Sequence, residues 1–307
     1  MRAAVIDLGT NTVRLLVADV HRGAPWTPVH AEQRVTRLGE AARATGALGD
    51  APMTRTAAAV SEYVARARAL GVTSVRIVAT SAVREARNGH AFAERLTRDT
   101  GERVDVITGD EEARLTLRGL GRGLALDGAT IAFDIGGGST EYVLSRDATL
   151  AAAVSLHLGV VPLAERFPFP ERLDPARYDA MLGGIREQLA RELPPAIAEA
   201  RIDTLIGTAG TVTTLAALDL DLRVYDPGRV HGHRLTRAAV DRLLARLGAL
   251  SVTARGALPC LEPGRADLII PGTAIVVATM ERLGVDALLV SEYGLREGIM
   301  EVVNESA

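Results

Sequence analysis

The sequence contains no lysine, so all 35 of its basic residues are arginine. A lysine-dependent phosphate loop is therefore excluded, as is Schiff-base catalysis. Any phosphate contact must come from guanidinium forks, backbone N–H groups, hydroxyls or a metal. A GC-rich genome favouring arginine codons accounts for the composition; the chemical exclusion holds either way. Cysteine occurs once, at Cys260, which excludes an internal disulfide framework and a multi-cysteine metal site. Aromatic residues make up 3% of the chain, too few for an aromatic cofactor box. No apolar run approaches the roughly 18 residues that a membrane span requires, and the N-terminus enters a strand without the regions of a signal peptide. No membrane partner and a cytoplasmic location are expected. The net charge of −3 carries no global signal for nucleic acid. At 307 residues, two domains are the natural prior.

What is present is a phrase written twice. Asp7-Leu8-Gly9-Thr10-Asn11-Thr12 follows the apolar run Ala3–Ile6, and Asp134-Ile135-Gly136-Gly137-Gly138-Ser139-Thr140-Glu141 follows Ile131–Phe133. Each is an apolar strand, an Asp, a turn of small residues and a second apolar run, which predicts two hairpins and two related half-molecules. Either turn alone is compatible with an ordinary hairpin. The repeated Asp favours function, because small-residue turns expose N–H groups to anions and a neighbouring acid can hold a divalent metal. Three successive glycines at 136–138 cost backbone entropy, the usual compensation being close approach to a ligand.

Other segments carry weaker signals. Thr80–Arg84 follows a buried strand and reads either as a helix start or as a means of bringing Arg84 to phosphate. Asp110, Glu111 and Glu112 open a helix, where acids ordinarily serve as caps and dipole partners. Gly207-Thr208-Ala209-Gly210-Thr211 lies between a strand and a helix, a place where N–H groups meet anions. His231 and His233 resemble a metal pair but lack a third ligand at a metal-site spacing, and read as structural. Arg114, Arg118 and Arg122 share a helix face, either solvated or tracking an anionic chain. Further expectations are a loop at 46–52, helices at 53–70, 109–124, 193–200 and 272–283, and mostly loop at 251–264 and 227–232.

Six strings resemble, in order, the exopolyphosphatase/guanosine pentaphosphate phosphohydrolase (Ppx/GppA) phosphatases: IDLGTNTVRLLVAD (Ile6–Asp19), ATSAVREARN (Ala79–Asn88), ITGDEEARL (Ile107–Leu115), AFDIGGGSTEYV (Ala132–Val143), GTAGTVTTLAAL (Gly207–Leu218) and SEYGLREGIM (Ser291–Met300). The resemblance implies an α/β fold of two ribonuclease H-like domains of the actin-like ATPase superfamily, each a mixed sheet flanked by helices, with the active site in the cleft between them. The domains would span 1–125 and 126–293, with the 294–307 helix packing back on the first.

The resemblance further implies that Glu112 is the base and Arg84 its catalytic companion. Its phosphate contacts would fall on the turn Gly9, Thr10, Asn11, Thr12, on Arg84 and on Gly136, Gly137, Gly138, Ser139, with Arg14 a weaker candidate; the glycine loop read above adds Gly207, Thr208 and Gly210 as phosphate-binding candidates. Asp7, Asp134 and Glu141 would hold Mg²⁺, with Mn²⁺ as a substitute. The implied reaction is Mg²⁺-dependent release of orthophosphate from the ends of inorganic polyphosphate. The alternatives are 5′-phosphohydrolysis of guanosine pentaphosphate (pppGpp) and a non-catalytic nucleotide or polyphosphate sensor. Longer family members carry additional C-terminal helical domains, so short chains are the expected substrates here. A homodimer is compatible with the family.

Overall fold

The computed structural model describes residues 1–307. The first half of the chain runs β1 (Arg2–Leu8), β2 (Thr12–His21), β3 (Ala24–Val35), α1 (Ala42–Thr45), α2 (Asp50–Ala69), β4 (Ser74–Ala79), α3 (Ser81–Glu85), α4 (Gly89–Thr100), β5 (Val104–Val106) and α5 (Gly109–Leu120). It continues through β6 (Ala129–Ile135), β7 (Thr140–Arg146), β8 (Thr149–Leu156), α6 (Val160–Arg166), α7 (Pro175–Glu192), α8 (Pro195–Ala198), β9 (Thr204–Thr208), α9 (Ala209–Asp219) and α10 (Pro227–Val230). The last elements are β10 (Arg234–Thr236), α11 (Arg237–Gly248), α12 (Val252–Gly256), a 3₁₀ turn at Pro263–Arg265, α13 (Ile269–Leu283), β11 (Ala287–Val290) and α14 (Leu295–Glu305). They form two compact units, 1–122 with 293–307, and 123–292. No helix is long and apolar enough to cross a membrane.

The two sheets repeat one topology. In the first unit the order is β3-β2-β1-β4-β5; in the second, read from the matching edge, it is β8-β7-β6-β9-β11-β10. In each, three antiparallel strands are followed by a parallel neighbour, β4 beside β1 and β9 beside β6. Strand alternation assigns the faces. Ala4, Ile6 and Leu8 enter a core with residues of α2 and α4. Ala3 and Val5 enter a second core with Leu115 of α5 and Leu295, Ile299 and Met300 of α14. In the second unit, Ile131, Phe133 and Ile135 of β6 join Tyr142 and Leu144 of β7 in one large core with α7, α9, α11 and α13.

Several helix boundaries differ from the sequence reading. Helix α2 begins at Asp50 and α13 at Ile269, each with a proline (Pro52, Pro271) in its first turn. There the missing N–H is harmless, so residues 50–52, read as loop, are helix, and α13 starts three residues before the expected 272. Residues 252–256 and 263–265 are helical despite Gly256, Pro259 and Pro263 nearby. The loop at 227–232 begins with α10, whose cap Asp226 accepts from the N–H groups of Gly228 and Arg229. Conversely, α8 covers only 195–198, and α5 ends at Leu120 rather than Leu124.

Helices α5 and α14 meet backbone to backbone. A Cβ on Gly119 would lie 1.9 Å from the Gly294 carbonyl oxygen, and one on Gly298 would lie 1.7 Å from that of Leu115. The flanks of this seam are tied by arginines. Arg122 lies over the Trp26 ring, 3.5 Å from its centroid, and donates to Glu301 and to the Trp26 carbonyl. Arg118 pairs with Glu305. Arg122 is thus tied to α14 rather than solvated, whereas Arg118, although paired with α14, and Arg114 are exposed. Gly298→Ala is expected to destabilise the protein by about 2–3 kcal/mol or more through overpacking. Gly184→Ala, in α7 where an added Cβ meets nothing within 4 Å, is expected to stabilise it by roughly 0.5–1 kcal/mol. Urea denaturation of the two variants checks both signs.

Candidate active site

In the first unit the turn between β1 and β2 is closed by the Gly9 N–H donating to the Thr12 carbonyl at 3.1 Å. The segment after β3 braces it from behind. Thr36 and Arg37 donate to the Asn11 carbonyl and Gly39 to that of Thr10. A Cβ on Gly39 would lie 2.2 Å from Thr10 Cγ2, so any larger residue there would displace the Thr10 methyl. Turn carbonyls are thus consumed by the brace, whereas no backbone carbonyl accepts from the Thr10 and Asn11 N–H groups. Thr10, Asn11 and Thr12 are buried, and Asn11 Oδ1 has no hydrogen-bond partner.

Asp7 stands at the end of β1, 6% exposed, in register with Arg14 on β2. It continues the Ala3, Val5 row toward α14. Burial raises its pKa above the ordinary carboxylate value, Arg14 and Arg296 oppose that shift, and Glu297 adds to it. Glu297 is itself buried, held by Arg296 through Nε at 2.9 Å and Nη2 at 2.6 Å, and accepts from the Gly294 N–H.

Helix α5 supplies Glu112. Capping falls to Thr108, whose hydroxyl accepts from the Glu111 N–H at 3.2 Å. Glu112 is buried, with Oε2 2.9 Å from Arg84 Nη1. The same Nη1 donates to the Ile107 carbonyl at 3.1 Å, and Nη2 lies 3.8 Å from Glu85. The N-cap of α5 is thus Thr108 rather than Glu112, and the Glu112 carboxylate lies against Arg84.

The second unit repeats the turn. The Gly136 N–H donates to the Ser139 carbonyl at 2.9 Å, and Val160 and Val161 at the start of α6 donate to the Gly136 and Gly137 carbonyls. A Cβ on Gly159 would strike the Gly137 carbonyl oxygen and the carbonyl carbon of Gly138, each at 2.3 Å. Again the carbonyls are used, and no backbone carbonyl accepts from the N–H groups of Gly137 and Gly138. Asp134 pairs in register with Glu141 and with Thr208, and Glu141 with Ser155. These four side chains form a row across β9, β6, β7 and β8, on the sheet face opposite Phe133 and Tyr142. Glu141 is 2% exposed and accepts from the Ser155 hydroxyl at 2.7 Å. Sequence reading missed Ser155, since a single serine on a strand carries no local signal.

The Gly207–Gly210 segment begins α9, with Ala209 at φ 68°, a left-handed conformation that favours glycine. Arg265 lies against it: a Cβ on Gly210 would sit 1.6 Å from Arg265 Nη1. Glu262 stands 3.2 Å from Arg265 Nε. The loop is thus an N–H cluster with a guanidinium beside it. Thr208 donates its hydroxyl to the Ser291 carbonyl. The two histidines do not converge. His231 Nδ1 accepts from the Glu292 N–H and Nε2 meets the Gly123 carbonyl, tying the last residue of the unit to its first, while His233 pairs with Asp219 at 3.0 Å.

No group of three or more His, Cys, Asp and Glu residues is arranged to hold a metal ion. The adjacent Asp134 and Glu141 nonetheless form the hard-oxygen donor pair that suits Mg²⁺. The model of the Ppx/GppA phosphatase family matches residues 16–304. The chain belongs to the Ppx/GppA phosphatase family. It is 38% identical over 317 aligned positions to exopolyphosphatase 2 of Mycobacterium tuberculosis, covering 97% of each chain. Its fold is similar to that of the Ppx/GppA family member from Aquifex aeolicus, with a TM-score of 0.83, 32% identity and coverage of 100% of this chain and 99% of that one. An exopolyphosphatase from Cytophaga hutchinsonii aligns with a TM-score of 0.92 at 26% identity, with the same coverage.

The raised pKa of Asp7 has a consequence for this family member. An acid that binds its proton more tightly when folded weakens the fold as pH rises from the unfolded toward the folded pKa. Asp7→Asn removes that penalty. The variant is expected to melt higher than wild type at pH 7, with the gap closing as pH falls to about 4, the ordinary aspartate value. Melting curves across pH test this; a variant that melts lower at pH 7 would show that pairing with Arg14 and Arg296 outweighs burial.

Proposed function

We propose that the chain is an exopolyphosphatase that hydrolyses the terminal phosphoanhydride of inorganic polyphosphate, with short chains as substrates. The observation that carries this reading is the Glu112–Arg84 pair: a buried carboxylate, relieved of capping by Thr108 and held by a guanidinium at 2.9 Å. Exopolyphosphatase activity in the name of the relative from M. tuberculosis supports the substrate class.

The reading assigns each group a task. The Thr10–Asn11 and Gly136–Ser139 turns offer N–H groups to phosphate oxygens, the task for which small-residue turns are suited. Arg84 turns part of its fork to the terminal phosphate, which a guanidinium binds bidentately. Glu112 orients a water molecule and accepts its proton. The new P–O bond forms from that water as the bridging P–O bond breaks, and the shortened polyphosphate leaves with the electron pair. Positioning and charge stabilisation supply most of the acceleration in phosphoryl transfer. Asp134 and Glu141 would hold Mg²⁺, or Mn²⁺ in its place. Asp7, in the first unit, has its charge partly met by Arg14 and Arg296. When bound, the ion neutralises phosphate charge.

Orthophosphate release from short polyphosphate and from pppGpp, measured side by side with Mg²⁺, tests the proposal. Glu112→Gln is expected to lower release by about 10²–10⁴-fold, the usual worth of a general base, with substrate binding retained. Chelation is expected to abolish release and added Mg²⁺ to restore it. A clear preference for pppGpp would overturn the substrate, and Glu112-independent release would overturn the base. Tight binding without release would favour a sensor.

A further inference from the structure

The row that holds the acid pair has a counterpart in the first unit, and the comparison isolates what is special about the second. Register places Gln33, Arg14, Asp7 and Val78 across β3, β2, β1 and β4. The matching positions on β8, β7, β6 and β9 are Ser155, Glu141, Asp134 and Thr208. In the first row the acid faces a cation and its other neighbour is apolar. In the second, acid faces acid and a hydroxyl residue stands at each end. Placing two carboxylates side by side on adjacent strands is unfavourable without compensation, more so where one of them is 2% exposed. The Ser155 hydroxyl has one proton, which it donates to Glu141 Oε1 at 2.7 Å.

We propose that Ser155 is a positioning residue for a divalent cation at Asp134 and Glu141, locking the Glu141 carboxylate in the orientation that binds the ion. The inference rests on the metal assignment of the preceding section and deepens it. Groups that hydrogen-bond a ligating carboxylate typically contribute 10–100-fold to metal affinity. A hydroxyl serving only strand stability would leave metal affinity unchanged.

The test is Mn²⁺ binding to the whole protein without substrate, by calorimetry and by the loss of the free-ion electron paramagnetic resonance signal. Ser155→Ala is expected to weaken binding by about ten-fold or more. Ser155→Cys, nearly isosteric but a weak donor, keeps the packing and is expected to weaken it similarly. Ser155→Thr, which restores a hydroxyl on a residue suited to strands, is expected to return affinity to within about two-fold of wild type on the same scale. In turnover, the metal concentration for half activation should rise in Ser155→Ala while kcat at saturating metal stays within a few-fold. If Ser155→Ala and Ser155→Cys bind Mn²⁺ as wild type does while Glu141→Gln does not, the positioning role is overturned and the metal site stands. If Asp134→Asn and Glu141→Gln also bind normally, the metal assignment itself falls, and this proposal with it.

Discussion

Two helices touching through glycine fix where the first unit's chemistry stands. Helix α5 carries Glu112, and α14 brings Arg296 and Glu297 near Asp7. With Gly119 and Gly298 at the crossing the helix backbones come into direct contact, closer than side chains of any size allow. Close contact leaves little freedom for α5 to slide or roll. Position is what a buried carboxylate needs, because its angle to Arg84 rather than its mere presence sets its chemistry. The flanks of the contact carry arginine ties, Arg122 on Trp26 and Glu301 and Arg118 with Glu305, beside the core that Leu115 shares with Leu295, Ile299 and Met300. The SEYGLREGIM string thus belongs to the geometry of the first unit even though it lies at the far end of the chain.

The internal repeat shows how one scaffold is turned to two electrostatic purposes. Both turns are closed by the same glycine N–H bond, and both are braced from behind by the segment after the third strand. Both braces carry a glycine at the contact: a Cβ on Gly159 would strike the turn backbone, and one on Gly39 would strike the Thr10 methyl. What differs is the residue opposite the acid. Arg14 faces Asp7 and compensates it; Glu141 faces Asp134 and doubles the charge. An anion-facing turn beside an acid that faces an arginine suits substrate oxygens, whereas two acids facing one another suit a cation. A single cross-strand position separates the two roles, with the sheet unaltered.

This division also explains which features were legible. The hairpins were, since an apolar alternation broken by an Asp and small residues has few other solutions. The early start of α2 was not, because the segment ending at Pro52 read as loop and only the place of that proline in a first turn makes it harmless. Glu112 was ambiguous for a physical reason: capping and catalysis call for the same residue type at the same place, and only Thr108 taking the cap separates them. The arginines of α5 suggested a face of their own, since nothing in the local spacing points to Trp26 or to the last helix. Ser155 lay beyond reach, because its significance is a register relation across two strands.

The absence of lysine acquires a structural meaning at a few positions. Codon preference accounts for exposed arginines such as Arg103, whose side chain is 86% exposed, where lysine would serve as well. It does not account for Arg255, which has no exposed surface and donates to the carbonyls of Leu247, Phe169 and Glu171 at 2.8–3.1 Å. Burial pulls its pKa down, yet a guanidinium stays charged where an ammonium would lose its proton, and its planar fork reaches three acceptors that a single ammonium could not meet in one orientation. Arg122, flat on an indole while donating from its edge, and Arg84, dividing Nη1 between a carbonyl and Glu112, exploit the same plane. Arginine at these sites is therefore a structural requirement, and the chemistry assigned to Arg84 depends on the same geometry: a fork that can keep one carboxylate oriented while offering its other edge to phosphate.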